Sequence, residues 1–318
     1  MMGSALLAWA VLLAFTAPRL LLRAEWTARA PRLGVLAWQA ASGSLVTAVV
    51  FGGVVLAVPV TALSGGLAEV LAHCIMSIRE AYRMPAVALA AGLGLLLATG
   101  VVTRLAVVLA WQGRRAALRR RAHAEALTLI GRPHPGLGAV VVEHPTPAAY
   151  CLPGRRRVIV ITTGALAALD DAELDAVLAH ERAHLAARHH LAVAAASSLA
   201  RAFPHVRLLT AAAEEIPRLV EMAADDTAGA RGDPGLVAGA LVALAGATTP
   251  VGALAAGGPA AVARVHRLLD PAAPLPRWTA LAGVAAALLL LAGPAALVLA
   301  PATFAGHMPD CVSEAAPA

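Results

Sequence analysis

Apolar residues fall along this 318-residue chain in two distinct patterns. In four places they run on almost without interruption: residues 1–18, a stretch within 33–68 that is most apolar at 45–63, residues 84–103 with an extension past Arg104 to Trp111, and residues 278–304. Each is near or above the roughly 18–20 residues a helix needs to cross bilayer hydrocarbon. Between the third and fourth runs the pattern changes. Ala139-Val140-Val141-Val142-Glu143 and Val158-Ile159-Val160-Ile161-Thr162 are β-branched runs bounded by Pro- and Gly-rich turns, which predicts two strands of a small sheet with Tyr150 to Gly154 between them. After them Leu174, Val177, Leu178 and Leu185 recur at helical intervals, with Asp170 and Glu173 ahead of them at capping-box spacing. A helix over about residues 171–190 is expected. One more uncharged stretch, 234–263, is broken by glycines and prolines; its clean part, 236–247, is too short to span and reads as a buried helix.

The expected architecture is therefore a membrane α-helical protein with four transmembrane helices, at about 1–18, 40–63, 84–111 and 278–304. An α+β domain occupies 113–277, and a short tail follows at 305–318. Composition agrees: 59% of residues are hydrophobic and 14% charged, with mean hydropathy +0.75, too apolar for a soluble protein of this size. All 25 basic residues are arginine, and their placement sets an orientation. Arg19, Arg23, Arg29 and Arg32 follow the first run against Glu25, and Arg114, Arg115, Arg119, Arg120 and Arg121 follow the third. The loop between the second and third runs balances Arg79 and Arg83 against Glu69 and Glu80, and the tail holds only Asp310 and Glu314. The positive-inside rule then puts both termini outside and the 113–277 domain in the cytoplasm. No charge precedes Arg19, so the first run lacks the basic start of a signal peptide and reads as a retained span, with a cleaved signal as the other reading.

The same topology explains the net charge of +6. An arginine cluster at a membrane exit, without interleaved aromatics, fits anionic headgroups of the lipid bilayer; direct nucleic-acid binding is not expected. Cys74 and Cys311 would face the oxidising side, where a Cys74–Cys311 disulfide could clip the tail to the loop; two unpaired thiols are the alternative.

The candidate chemistry lies on the predicted helix of the α+β domain. His180-Glu181-Arg182-Ala183-His184 is an H-E-x-x-H motif. Two histidines four apart sit about 40° and one turn apart, so both imidazoles reach one metal ion. The glutamate beside the first can then serve as base toward a water the ion activates. Two residues compete for the third ligand. His190 has the right sequence distance for a chain that turns back, but Leu185-Ala186-Ala187-Arg188 gives a helix no reason to turn, which would carry His190 away. Glu221, in Glu221-Met222-Ala223-Ala224-Asp225, is the better candidate: Glu221 and Asp225 share a helix face, so Glu221 can bind metal while Asp225 fixes the far nitrogen of a ligating histidine. Small Ala223 and Ala224 allow close packing against the first helix. Tyr150, His205 and His266 are available to stabilise an oxyanion, and spacing alone places none of them.

Taken together, Tyr150-Cys151-Leu152-Pro153-Gly154, Val158 to Gly164, Ala176 to His184, Arg188-His189-His190 and Glu221 to Asp225 resemble the BlaR/MecR-type integral-membrane signal-transducing metallopeptidases, metallopeptidase family 56. The layout of three spans, a cytoplasmic zinc domain and a last span is similar as well. The resemblance implies a gluzincin-like domain holding one Zn2+ through His180, His184 and Glu221, with Glu181 as general base and Asp225 behind the ligands. It implies an endopeptidase in signal transduction whose protein substrate is a winged-helix transcriptional repressor. The sensors of that family carry an external penicillin-binding domain after the fourth span; only a short stretch follows Phe304 here, so direct β-lactam sensing is not expected. The HtpX/Ste24-like quality-control proteases share the H-E-x-x-H and E-x-x-x-D logic, but their bacterial forms have hydrophobic spans soon after the zinc helix, where residues 191–200 are too short and Arg201 and Arg207 interrupt. A non-catalytic membrane signalling scaffold is the remaining alternative, and the intact Glu181 argues against it. The strand over 158–162, which leads into the metal helix, fits the role of an edge that binds an extended substrate by strand addition.

Overall fold

A computed structural model of the chain describes residues 2–57, 85–154, 157–246 and 259–305. Cys74 and Cys311, the loop carrying Glu69, Arg79, Glu80 and Arg83, and the tail with Asp310 and Glu314 lie outside the described residues. The helices are α1 (Met2–Leu22), α2 (Trp26–Arg29), α3 (Pro31–Ala57), α4 (Pro85–Ile130), α5 (Thr163–Ala168), α6 (Asp171–Ala186), α7 (His189–Ala202), α8 (Arg207–Gly229), α9 (Pro234–Gly246), α10 (Pro259–Leu269) and α11 (Arg277–Ala305). The strands are β1 (Gly131–His134), β2 (Ala139–Val142), β3 (Ala149–Leu152) and β4 (Val158–Thr162).

Four helices, α1, α3, α4 and α11, are long and apolar enough to cross a membrane, which suggests a multi-pass membrane protein. They correspond to the four uncharged runs, with α4 continuing unbroken for 46 residues through the arginine cluster. The chain divides into two compact units. The first comprises Met1–Arg19, Ala40–Ala106 and Ala285–Ala318. Its helices pack through small residues and leave large apolar side chains outside, such as Leu96 and Leu289, as expected where lipid supplies the solvent. Gly53 and Gly94 mark the closest approach: a Cβ on either would fall 2.5–2.6 Å from the other's carbonyl oxygen. Trp9 Nε1 donates to Ser44 Oγ at 3.2 Å within the same unit.

The second unit, Leu20–Gln39 with Val107–Val284, holds a mixed four-stranded sheet of order β1-β2-β4-β3. β2 and β4, the two strands legible in the sequence, are neighbours and run parallel, whereas β1 and β3 add antiparallel partners on either side. The expectation that residues 158–162 form the edge is therefore corrected: β4 is paired on both sides, and the edge beside the α-helices is β3. Ile159 and Ile161 of β4 meet Leu174, Val177, Leu178 and Leu185 of α6 in the core, closed by Ala240 of α9. The stretch after Pro234 is thus a helix of this unit, as its length implied. Gln39 of α3 donates to the Ala192 carbonyl at 2.9 Å, and Arg32 to Thr227 Oγ1 at 2.9 Å, tying the start of α3 to α7 and α8.

Candidate metal centre

α6 begins where its cap directs. Asp170 accepts from the Glu173 N–H at 2.8 Å, and Glu173 accepts from the Asp170 N–H at 3.2 Å, so two otherwise unpaired donors are satisfied reciprocally. Burial of Leu174, Val177, Leu178 and Leu185 then fixes the helix rotation. That rotation leaves His180 and His184 on the face directed toward α8, with Glu181 beside Cys151 of β3. On α8, Ala223 and Ala224 are fully buried and let the helices approach closely, while Glu221 and Asp225 follow one another at one turn.

The expected residues come together. The Nε2 atoms of His180 and His184 are 3.0 Å apart. Glu221 Oε2 lies 3.5 Å from His180 Nε2, and Oε1 lies 3.4 Å from His184 Nε2. Four-coordinate zinc with ligand bonds near 2.1 Å has ligand–ligand edges of about 3.4 Å. The two His–Glu separations, one to each carboxylate oxygen, are close to that edge and the His–His separation is shorter; two imidazoles with a carboxylate form a donor set suited to that ion. The group is the one set of His, Cys, Asp and Glu among the described residues able to hold a metal.

The nitrogens behind the two imidazoles are also engaged. His180 Nδ1 lies 2.9 Å from Asp225 Oδ1, a carboxylate with no solvent exposure. That contact holds a proton on Nδ1, so Nε2, the nitrogen directed toward Glu221, is the one that can give its lone pair to a metal. Asp225 in turn accepts from Arg264 of α10 through both oxygens, at 2.7 Å each. A third nitrogen of the same guanidinium reaches Glu221 Oε2 at 3.0 Å. For His184, the partner is His189: their Nδ1 atoms are 3.1 Å apart, so the tautomer that leaves Nε2 free donates from Nδ1–H to His189.

Electrostatics follow from these contacts. Burial lowers the His180 pKa, but hydrogen bonds to Asp225 and Glu221 outweigh it and push it up to about 9. Burial pulls His184 down to about 4. Burial alone would raise the Glu221 and Asp225 carboxyls; their bonds to His180 and Arg264 hold both below the usual range. The pocket therefore favours a positive charge between His180 and Glu221, as a cation requires. Glu181 is different: burial raises its carboxyl, against the opposing pull of His180 and of Cys151 beside it. The same burial and the neighbouring carboxylate push the Cys151 thiol up to about 12, so it is neutral.

Cys151 belongs to β3, whose far side is free among the described residues. The Thr162 N–H bonds the Ala148 carbonyl at 3.0 Å. With the observed register, the pairs Tyr150–Val160 and Leu152–Val158 then exchange ladder bonds, and Ala149 and Cys151 turn their backbone groups outward. The free edge thus faces Glu181. A cavity of about 180 Å³ lies at the Ala149 end, with Val177, Val237 and Leu241 on its apolar side and His180, Glu181, Glu221 and Arg264 on its polar side. A wider cleft of about 680 Å³ at the Cys151 end is lined by His184, His189 and Glu221 among others.

One expectation is revised. α6 does not run to residue 190: it ends at Ala186, Arg188 adopts a left-handed conformation (φ 52°), and α7 starts at His189. This conformation costs a non-glycine residue about 1–2 kcal/mol, and the break directs His189 back to His184. His190 remains outside the metal-capable group. Of the three residues considered for an oxyanion, Tyr150 bonds His123 at 2.9 Å, and neither cavity wall includes Tyr150, His205 or His266. Sequence reading missed Arg264, His189 and Cys151. Neither His189, which follows a good helix-forming stretch, nor Arg264, 39 residues from Asp225, had a local signal.

Residues 113–214, roughly one third of the chain, match the family model described as peptidase family M48, whose members are metalloproteases, generally zinc-dependent. The matched segment contains His180, Glu181 and His184 and ends before Glu221. It supports a metallopeptidase, associated with a membrane through the four apolar helices. The BlaR/MecR-type assignment is not confirmed by this match, and the HtpX-like alternative is compatible with it. No curated protein and no solved structure matches the chain.

Proposed function

We propose that this chain is a membrane-embedded zinc endopeptidase that cleaves a cytoplasmic or membrane-proximal protein. The observation that carries the reading is the convergence of His180 Nε2, His184 Nε2 and a Glu221 carboxylate oxygen, all within 4.8 Å of one another, with the raised carboxyl of Glu181 beside them. Zinc held there supplies Lewis acidity to a scissile carbonyl and to water. The remaining work falls to the chain. Asp225 keeps His180 in the tautomer with a free Nε2, and His189 does so for His184. Glu181, on the cleft side of His180, accepts the proton of the attacking water and delivers it to the departing amine; its burial brings its basicity closer to neutral pH. Arg264 anchors both Glu221 and Asp225, and the outward backbone groups of Ala149 and Cys151 align an extended substrate by strand addition.

In biological role, we read the chain as a signalling peptidase of the BlaR/MecR type, with a gluzincin-like domain facing the cytoplasm, both termini external, and a winged-helix repressor as substrate. This rests on the motif resemblance and the arginine distribution. The family M48 match favours a second reading, an HtpX/Ste24-like protease of membrane-protein quality control. New protein N-termini compared between host cells carrying wild type and Glu181→Gln test both. Cleavages confined to wild type are expected, a repressor among them supporting signalling and membrane-protein fragments supporting quality control. Identical N-termini in the two strains would overturn the peptidase reading and favour a scaffold.

A further inference from the structure

The cleft does not end at Cys151. Beyond Pro153 and Gly154 it opens into a second cavity of about 370 Å³, walled by Arg120 of α4, Arg157 before β4, Arg188 at the α6–α7 break and His190 of α7. Pro153, Leu185 and His190 line both this cavity and the cleft that holds His184 and Glu221, so the two are continuous. Among the described residues no carboxylate lines the basic cavity, and none of the three guanidinium groups has an acidic partner. His190 registers the same convergence: partial burial lowers its pKa, and Arg120, Arg188 and Arg157 lower it further. Arg188 also holds a left-handed backbone that glycine adopts without strain.

Resting on the peptidase reading above, we propose that this basic cavity is a substrate subsite that selects an acidic side chain about three residues N-terminal to the cleaved bond. Gly154 lies three residues beyond Cys151, just past the end of β3 at Leu152. A substrate strand added to β3 in the better-bonded antiparallel sense runs its N-terminal side toward Pro153. An aspartate or glutamate there meets three unpaired arginines in a fork geometry suited to carboxylates. A lipid phosphate would use the same arginines, but the continuity of the cavity with the edge strand favours a peptide.

The test uses the purified, zinc-loaded full chain and a peptide library varied at each position before the cleaved bond, with products read by mass spectrometry. A preference of about tenfold in kcat/KM for glutamate over glutamine near the third position is expected. Arg120→Glu/Arg157→Glu/Arg188→Glu should invert it toward lysine and arginine, and added salt should weaken it. Cleavage without acidic preference, or a preference that survives charge reversal, overturns the proposal. If no peptide is cleaved, the peptidase reading falls separately. Anisotropy of a labelled glutamate-containing peptide against its glutamine counterpart, on metal-free protein, then decides the subsite: tighter binding lost on charge reversal supports it, and equal binding overturns it. Charge reversal that lowers the amount of phosphatidylglycerol retained by the purified chain yet leaves peptide selectivity intact would assign the cavity to lipid phosphate instead.

Discussion

His180 and His184 turn the same nitrogen toward Glu221, yet the supports behind them differ. On the α8–α10 side, His180 rests on an ionised, fully buried Asp225 that is itself held by two bonds from Arg264. On the α7 side, His184 rests on His189, a neutral ring at the start of a new helix whose pKa burial lowers. A buried charge pair is unforgiving, because losing one member strands the other in a poorly solvating interior. A neutral hydrogen bond can be lost at much smaller cost. The first support fixes the fold of the site as well as the imidazole; the second chiefly orients a ring.

The largest effect should therefore come from Asp225→Ala. It strands Arg264 and frees His180 Nδ1, and a loss of about 3–5 kcal/mol in unfolding free energy is expected, with zinc affinity reduced 10–100-fold, on the order of other partner losses behind metal ligands. Denaturant titration of the solubilised protein measures the first and competition with a chelating dye the second. A cost near that of a neutral bond would break the comparison. Zinc itself comes next. At a free concentration about 100 times Kd it should add about 2.7 kcal/mol to stability, seen as a higher thermal midpoint that a chelator reverses and His180→Ala abolishes. His189→Ala should cost about 1 kcal/mol and weaken zinc by about tenfold; an effect equal to that of Asp225→Ala would erase the distinction between the two sides. The smallest effect is expected at the helix break: Arg188→Gly relieves the left-handed conformation and should stabilise by up to about 1 kcal/mol, while leaving His189 in place.

The comparison also separates what could be read in the chain from what could not. The Asp225 side was open to sequence reasoning in part, since a glutamate and an aspartate one turn apart on a helix declare a shared face. The capping box and the apolar positions of α6 were equally local signals, and all of them point to the geometry found. Arg264 was hidden because its contact joins two helices distant in sequence, with no periodicity to announce it. The His189 side was hidden by propensity. Ala187 favours helix and Arg188 has no preference for left-handed backbone, so tertiary contacts, not local preference, break the helix there. β1, which contains Pro133, and β3, four residues of mixed character, escaped for a related reason: short strands are specified by the neighbours they pair with. The sequence alone therefore points to residues 158–162 as the edge, whereas β3 covers that side of the sheet.

The most direct test of the account is a paired measurement on the purified wild-type chain and Glu181→Gln: zinc content and hydrolysis of an unfolded protein substrate in the same preparation. The account predicts one zinc per chain in both, with cleavage by wild type and cleavage reduced by at least about a hundredfold in the variant. A variant that cleaves as well as wild type, or a wild type that binds no zinc, would contradict it.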